Sequence, residues 1–240
     1  MLIQKKRVVF RMKSSGGLPH RKEASSTSAL DKKPYFAQLF REVGCYNFCK
    51  KLEGYHDQVA EAFAKSFDGV KAKIGLLQIQ VNVQTISEVT EIPMTCENWF
   101  KSTTTKDVIY QQFLTEAPQD VIFHKYILRS YLQEESQMFL KLIQSYVTCE
   151  GRYGRTSIYH FLLLMHFKGF QPMNIPYFLL KSLTKMSSKV QRKPEAPSTR
   201  VFHYGLIKLL VLDELQKIGN NGTISCFGEI LELKHNLLIK

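Results

Sequence analysis

The chain has 240 residues, of which 44% are apolar and 22% charged, with a formal net charge of +12. Its 16 Phe and 11 Tyr, with abundant Leu and Ile, exclude a wholly disordered chain. The richest apolar run, residues 158–167, contains His160 and His166 and falls far short of the roughly 20 residues that a bilayer span needs.

The positive charge is unevenly placed. Residues 1–33 hold nine Lys/Arg against two acids, and residues 181–200 hold six against Glu195 alone. The stretches 34–180 and 201–240 are neutral, with fourteen and four of each sign. Lys5, Lys6 and Arg7 open a stretch rich in Gly and Ser, whose flexible backbone and scarce apolar side chains predict a disordered basic tail over 1–33. Only Val8, Val9 and Phe10 follow Arg7 before Arg11, too few for the apolar region of a secretory signal. With five cysteines, an odd number, this predicts reduced thiols and an intracellular protein of nucleus or cytoplasm, with no membrane partner.

Pro34 closes the tail, and a short amphipathic helix is expected over 35–43. Val59, Ala62, Phe63 and Phe67 recur at helical spacing in a helix over 55–67, which Asp68-Gly69 stops. The period then changes. Val70, Ala72 and Ile74 alternate, as do Leu77, Ile79 and Val81 after Gly75-Leu76, so a β-hairpin is expected near 70–81. Asn82 suits the N-cap of a helix over 83–92, which Pro93 ends. Apolar spacing of three and four predicts further helices over 106–114, 121–132, 135–147, 157–167, 175–186 and 201–218. Short loops between amphipathic helices imply a mainly α fold, a compact helical bundle carrying one small hairpin. The body is expected over 34–218 as a single domain, with a basic loop near 187–200 interrupted by Pro194 and Pro197, and a C-terminal extension over 219–240.

Motif chemistry is sparse. Cys45, Cys49 and His56 would share a face on a continuous helix, as zinc ligands could, but Gly54 interrupts it and no second ligand pair follows. His160 and His166 stand six apart, about 120° around a helix, so they do not converge on one ion. Neither a metal nor a cofactor is expected. Glu134-Glu135 is the nearest carboxylate pair, and adjacent residues do not face each other on a helix. No nucleophile elbow, phosphate loop or dinucleotide fingerprint occurs. Gly151-Arg152-Tyr153-Gly154 has the form with which KH modules clamp a nucleic-acid backbone. Glu150 stands where that loop has an aliphatic residue, which favours a helix–helix turn with Thr156 as the following cap.

Two runs carry a resemblance. One is Gly54-Tyr55, Val59-Ala60-Glu61-Ala62-Phe63 and Phe67-Asp68-Gly69-Val70-Lys71-Ala72-Lys73-Ile74-Gly75, continued by the small helix ending at Ile92-Pro93 and by Trp99-Phe100-Lys101. The other runs from residues 159–167 through Asn174-Ile175-Pro176-Tyr177 to His203-Tyr204-Gly205-Leu206-Ile207. Together, over residues 35–218, they resemble the plant transposon protein domain in the order of their elements. The resemblance implies a plant protein descended from a mobile element, and it carries over no catalytic residues. The reading that follows is a non-enzymatic helical protein that acts through binding. Its alternative is a nucleic-acid accessory protein that contacts phosphates without sequence preference through Lys5, Lys6, Arg7, Lys189, Arg192 and Lys193. A cryptic hydrolase or nuclease is a third alternative, for which no carboxylate cluster is visible.

Overall fold

The computed structural model describes residues 30–52, 57–95, 113–115, 126–148, 155–169, 173–192 and 203–220. Lys5, Lys6, Arg7, Lys193, His56, the Gly151-to-Gly154 motif, most of the basic tail and the C-terminal extension lie outside the described residues. The fold is mainly α. The helices are α1 (Pro34–Glu42), α2 (Tyr46–Lys51), α3 (Asp57–Ser66), α4 (Val83–Thr90), α5 (Glu134–Tyr146), α6 (Ile158–Phe167), α7 (Ile175–Arg192) and α8 (Tyr204–Asn220). Two antiparallel strand pairs accompany them: β1 (Lys71–Ile74) with β2 (Leu77–Gln80), and β3 (Tyr126–Leu128) with β4 (Arg155–Ser157).

The elements pack in two groups around one continuous apolar core. In the first, α1 and α5 lie against α6, whose sequence is apolar nearly all round, as a helix enclosed by others must be. His160 and His166 are buried on it. The aromatic rings of Phe36, Phe40, Phe139 and Phe167 meet here. In the second group, α3, α4, α7 and α8 pack together, and the β1–β2 ribbon lies with its inner face on α3 and α8.

The corner between α1 and α2 joins the two groups. Gly44 adopts φ +75°, which a side chain disfavours, and a Cβ there would sit 2.6 Å from Cδ of Pro93 beyond α4. Lys51 of α2 pairs with Glu91 at the end of α4, 2.6 Å apart. Cys45 and Cys49 are buried at this corner, and burial pushes the Cys45 thiol well above its ordinary pKa. Among the described residues no three His, Cys, Asp or Glu side chains gather as metal ligands could.

The hairpin follows its alternation. Ala72, Ile74, Leu77 and Ile79 point inward, while Lys71, Lys73, Gln78 and Gln80 point outward. Gly75 supplies φ +59° at the first turn position, and the register pairs Ile74 with Leu77 across the two-residue turn. Asn82 caps α4, its Oδ1 accepting the Thr85 N–H at 2.8 Å. Replacing Asn82 by Ala is expected to cost about 1 kcal/mol, read as a lower urea midpoint at unchanged m-value.

Four expectations are corrected. The helix expected over 121–132 is not one across its described part: residues 126–128 form β3, which pairs with β4, and a 3₁₀ turn spans Arg129–Tyr131. Thr156 accordingly sits in strand β4 rather than at a helix cap. The tail ends earlier than Lys33, because Leu30 is buried and Asp31 accepts a hydrogen bond from the Tyr46 hydroxyl. The basic loop expected from residue 187 is helical through Arg192, because Ser187 and Val190 are buried and Gln191 is anchored to α3. No helix among the described residues is long and apolar enough to cross a membrane.

Candidate functional site

The extended α7 carries four of the six basic residues of the second charged stretch. Its 18 residues contain no Asp or Glu. Asn174 starts it, accepting the Tyr177 N–H at 2.9 Å, and Pro176 in the first turn carries a preset helical φ. Ile175, Phe178, Leu179, Leu183, Met186 and Val190 form a buried face against α3 and α4. At 100° per residue, Lys181, Lys185, Lys189 and Arg192 fall within an arc of about 80° and along about 17 Å of the helix, on a flank about 110° around from the middle of the buried face. All four are exposed.

Among the described residues these cations have no acidic partner. The ion pairs among the described residues are Lys51–Glu91, Lys65–Glu61, Lys168–Glu135 and Lys217–Asp213, and none uses the α7 stripe. The Lys181 ammonium lies 5.3 Å from the centroid of the Tyr177 ring one turn back, which orders the side chain without removing its charge. Lys189 and Arg192 sit in the last turn, where the negative end of the helix dipole favours them. Four like charges in a row repel one another, and a polyanion along the stripe would relieve that repulsion.

The position of α7 is fixed from two sides. The Gln191 side-chain amide donates to the carbonyls of Phe67 at 2.9 Å, Lys65 at 3.3 Å and Ala64 at 3.4 Å. These are acceptors that the end of α3 leaves without helical partners. On the other side, Ser182 Oγ and His203 Nε2 lie 2.8 Å apart inside the protein, tying α7 to the start of α8. His203 is left-handed at φ +63°, and burial lowers its pKa from 6.5 to about 3, so the imidazole is neutral at physiological pH.

The ribbon meets α7 at the turn before β1. A Cβ on Gly69 would lie 3.7 Å from Thr184 Cγ2, between Lys181 and Lys185 along the helix. Asp68 in this turn accepts the N–H groups of Lys71 and Val70 at 2.8 and 2.9 Å, and those bonds hold its carboxyl below the usual range. A depression of about 160 Å³ opens on the ribbon, lined by Ser66, Asp68, Lys71, Lys73 and Gln78.

A second basic cluster differs in kind. At the α1–α2 corner the Arg41 guanidinium lies 4.2 Å and the Lys50 ammonium 4.6 Å from the Tyr46 ring centroid. Here the cations are held on an aromatic face whose hydroxyl is bonded to Asp31, beside Glu42.

Of the residues singled out in the sequence, Lys189 and Arg192 belong to the α7 stripe. Lys181 and Lys185, inside the helix expected over 175–186, complete it, and continuing the helical period past Met186 would have put all four on one face. Lys71 and Lys73 share the neighbouring ribbon face, and the alternation that predicts the hairpin already turns them outward. Comparison of the chain with known protein families, curated proteins and solved structures gives no match.

Proposed function

We propose that the protein acts by binding, without catalysing a reaction, and that it holds nucleic acid through phosphates laid along α7. The observation that carries this is the acid-free stripe of Lys181, Lys185, Lys189 and Arg192. Its exposed cations rise about 6 Å for every four residues, a spacing on which a repeating anion can displace its counterions. Lys5, Lys6, Arg7 and Lys193 would add contacts of the same kind from outside the described residues. The order of elements that resembles the plant transposon protein domain supports descent from a mobile element, whose products work on nucleic acid.

The test is the salt dependence of binding to arbitrary duplexes by the full chain and by K181Q/K185Q/K189Q/R192Q. Four lost phosphate contacts are expected to lower the slope of log K against log salt by about 3 to 4. Thermal stability should stay nearly unchanged, since exposed charges contribute little to folding. An unchanged slope would show that the stripe touches no phosphate.

A further inference from the structure

We propose that the outer face of the β1–β2 ribbon lies in the major groove of B-form DNA and reads base edges through Lys71, Lys73, Gln78 and Gln80. This rests on α7 as the phosphate-binding element, and adds sequence selection to it.

Four observations converge on the ribbon. Its register places Lys71 opposite Gln80 and Lys73 opposite Gln78, so the four outward side chains form one patch. Neighbours on one strand face stand about 7 Å apart and cross-strand partners about 5 Å, which spans roughly two base-pair steps. Lysine donates to guanine O6 and N7, and glutamine pairs with adenine N6 and N7, so these are side chains suited to the major-groove code. Among the described residues, none of the four side chains has a hydrogen bond or an ion pair that would occupy it.

The ribbon is also held for this purpose. Its inner residues Ala72, Ile74, Leu77 and Ile79 are anchored on α3 and α8. Ser66 Oγ accepts the Lys73 N–H at 2.9 Å, and Asp68 accepts those of Val70 and Lys71, pinning the outer side of β1. The turn before β1 approaches α7, where a Cβ on Gly69 would lie 3.7 Å from Thr184 Cγ2, so ribbon and helix can meet one duplex together.

The shape of the partner follows from the ribbon's size. A two-stranded ribbon fits the roughly 12 Å major groove of B-DNA. The major groove of an RNA duplex is too deep and narrow to admit it. Single strands are held by stacking on exposed aromatic rings. The large exposed aromatics among the described residues, Tyr35 and Tyr159, lie on α1 and α6, in the other packing group.

The experiment is selection by the full chain from a pool of DNA duplexes with a randomised core, followed by affinity measurements at several salt concentrations. The wild type is expected to enrich a short motif. Q78A/Q80A should lose that preference, with affinity for the motif falling about tenfold or more, while its salt slope and melting temperature stay unchanged. K181Q/K185Q/K189Q/R192Q should keep the motif and lower the slope. A wild type that binds with a steep slope but enriches no motif overturns the ribbon assignment and leaves α7 standing. So does a motif unchanged in Q78A/Q80A, or tighter binding to RNA duplexes or single strands of equal length. A slope unchanged in the α7 variant overturns the phosphate assignment of α7 instead.

Discussion

Replacing Phe139 by alanine is expected to remove about 3 to 5 kcal/mol of folding stability, a large part of what a domain of this size has. Phe139 is fully buried on α5, with ring centroids 5.2 Å from Phe36, 6.0 Å from Phe40 and 5.4 Å from Phe167. Its ring therefore bridges α1 and α6, and truncation removes contacts to both helices at once. The near-perpendicular arrangement on Phe167, at 84°, adds an edge-to-face contact that an aliphatic replacement does not reproduce. Three rings closing in from two helices leave little room to collapse, which places the loss toward the upper part of the range. Urea unfolding of Phe139→Ala against wild type measures it, and a melting temperature lower by roughly 10 °C should accompany it. A loss under 1 kcal/mol would mean that this aromatic cluster is not packed as described.

The second large effect is a loss of stability in acid that depends on His203. Its folded-state pKa of about 3 lies below the ordinary 6.5, because the buried ring accommodates no charge. Between those values the unfolded chain binds a proton that the folded protein refuses, so stability falls as pH drops from about 6.5 toward 3. By pH 4 the lost contribution is on the order of 3 kcal/mol. His203→Asn removes the titration, and asparagine tolerates the left-handed backbone better than most residues. The variant should start less stable at pH 7, because the bond to Ser182 is altered, yet lose less on acidification. Parallel stability curves for wild type and variant between pH 7 and 4 would refute the assignment.

Local pattern made much of this fold readable, and non-local contacts account for the rest. The hairpin was legible because Ala72, Ile74, Leu77 and Ile79 each alternate with a polar residue over a core that covers one face only. Asn82 announced the start of α4 through its own side chain. The segment 126–132 misled, since its apolar spacing suits a helix while its partner, Arg155–Ser157, lies far along the chain. The end of α7 was lost in the same way. Pro194 and Pro197 suggested an early loop, but Gln191 finds its acceptors on α3, more than 120 residues away. The candidate surface was half legible. Lys189 and Arg192 stood out by charge, whereas the ribbon patch becomes visible only when β1 and β2 are placed in register.

The long-range clasp of Gln191 on the end of α3 also bears on how the chain reaches this state. Neither α3 nor α4 completes its packing until α7 and α8 exist, so the nucleus of this half cannot form from neighbouring segments alone. During synthesis the apolar faces of α3, α4 and the ribbon emerge roughly 5 to 25 s before their covers, at about 5 to 20 residues per second. Through that interval Val59, Phe63, Ile79 and Ile86 are open to water and to other chains. Folding should consequently be slow for a helical protein and sensitive to chaperone supply, and a C-terminal truncation removing α7 should yield aggregate rather than a smaller folded unit.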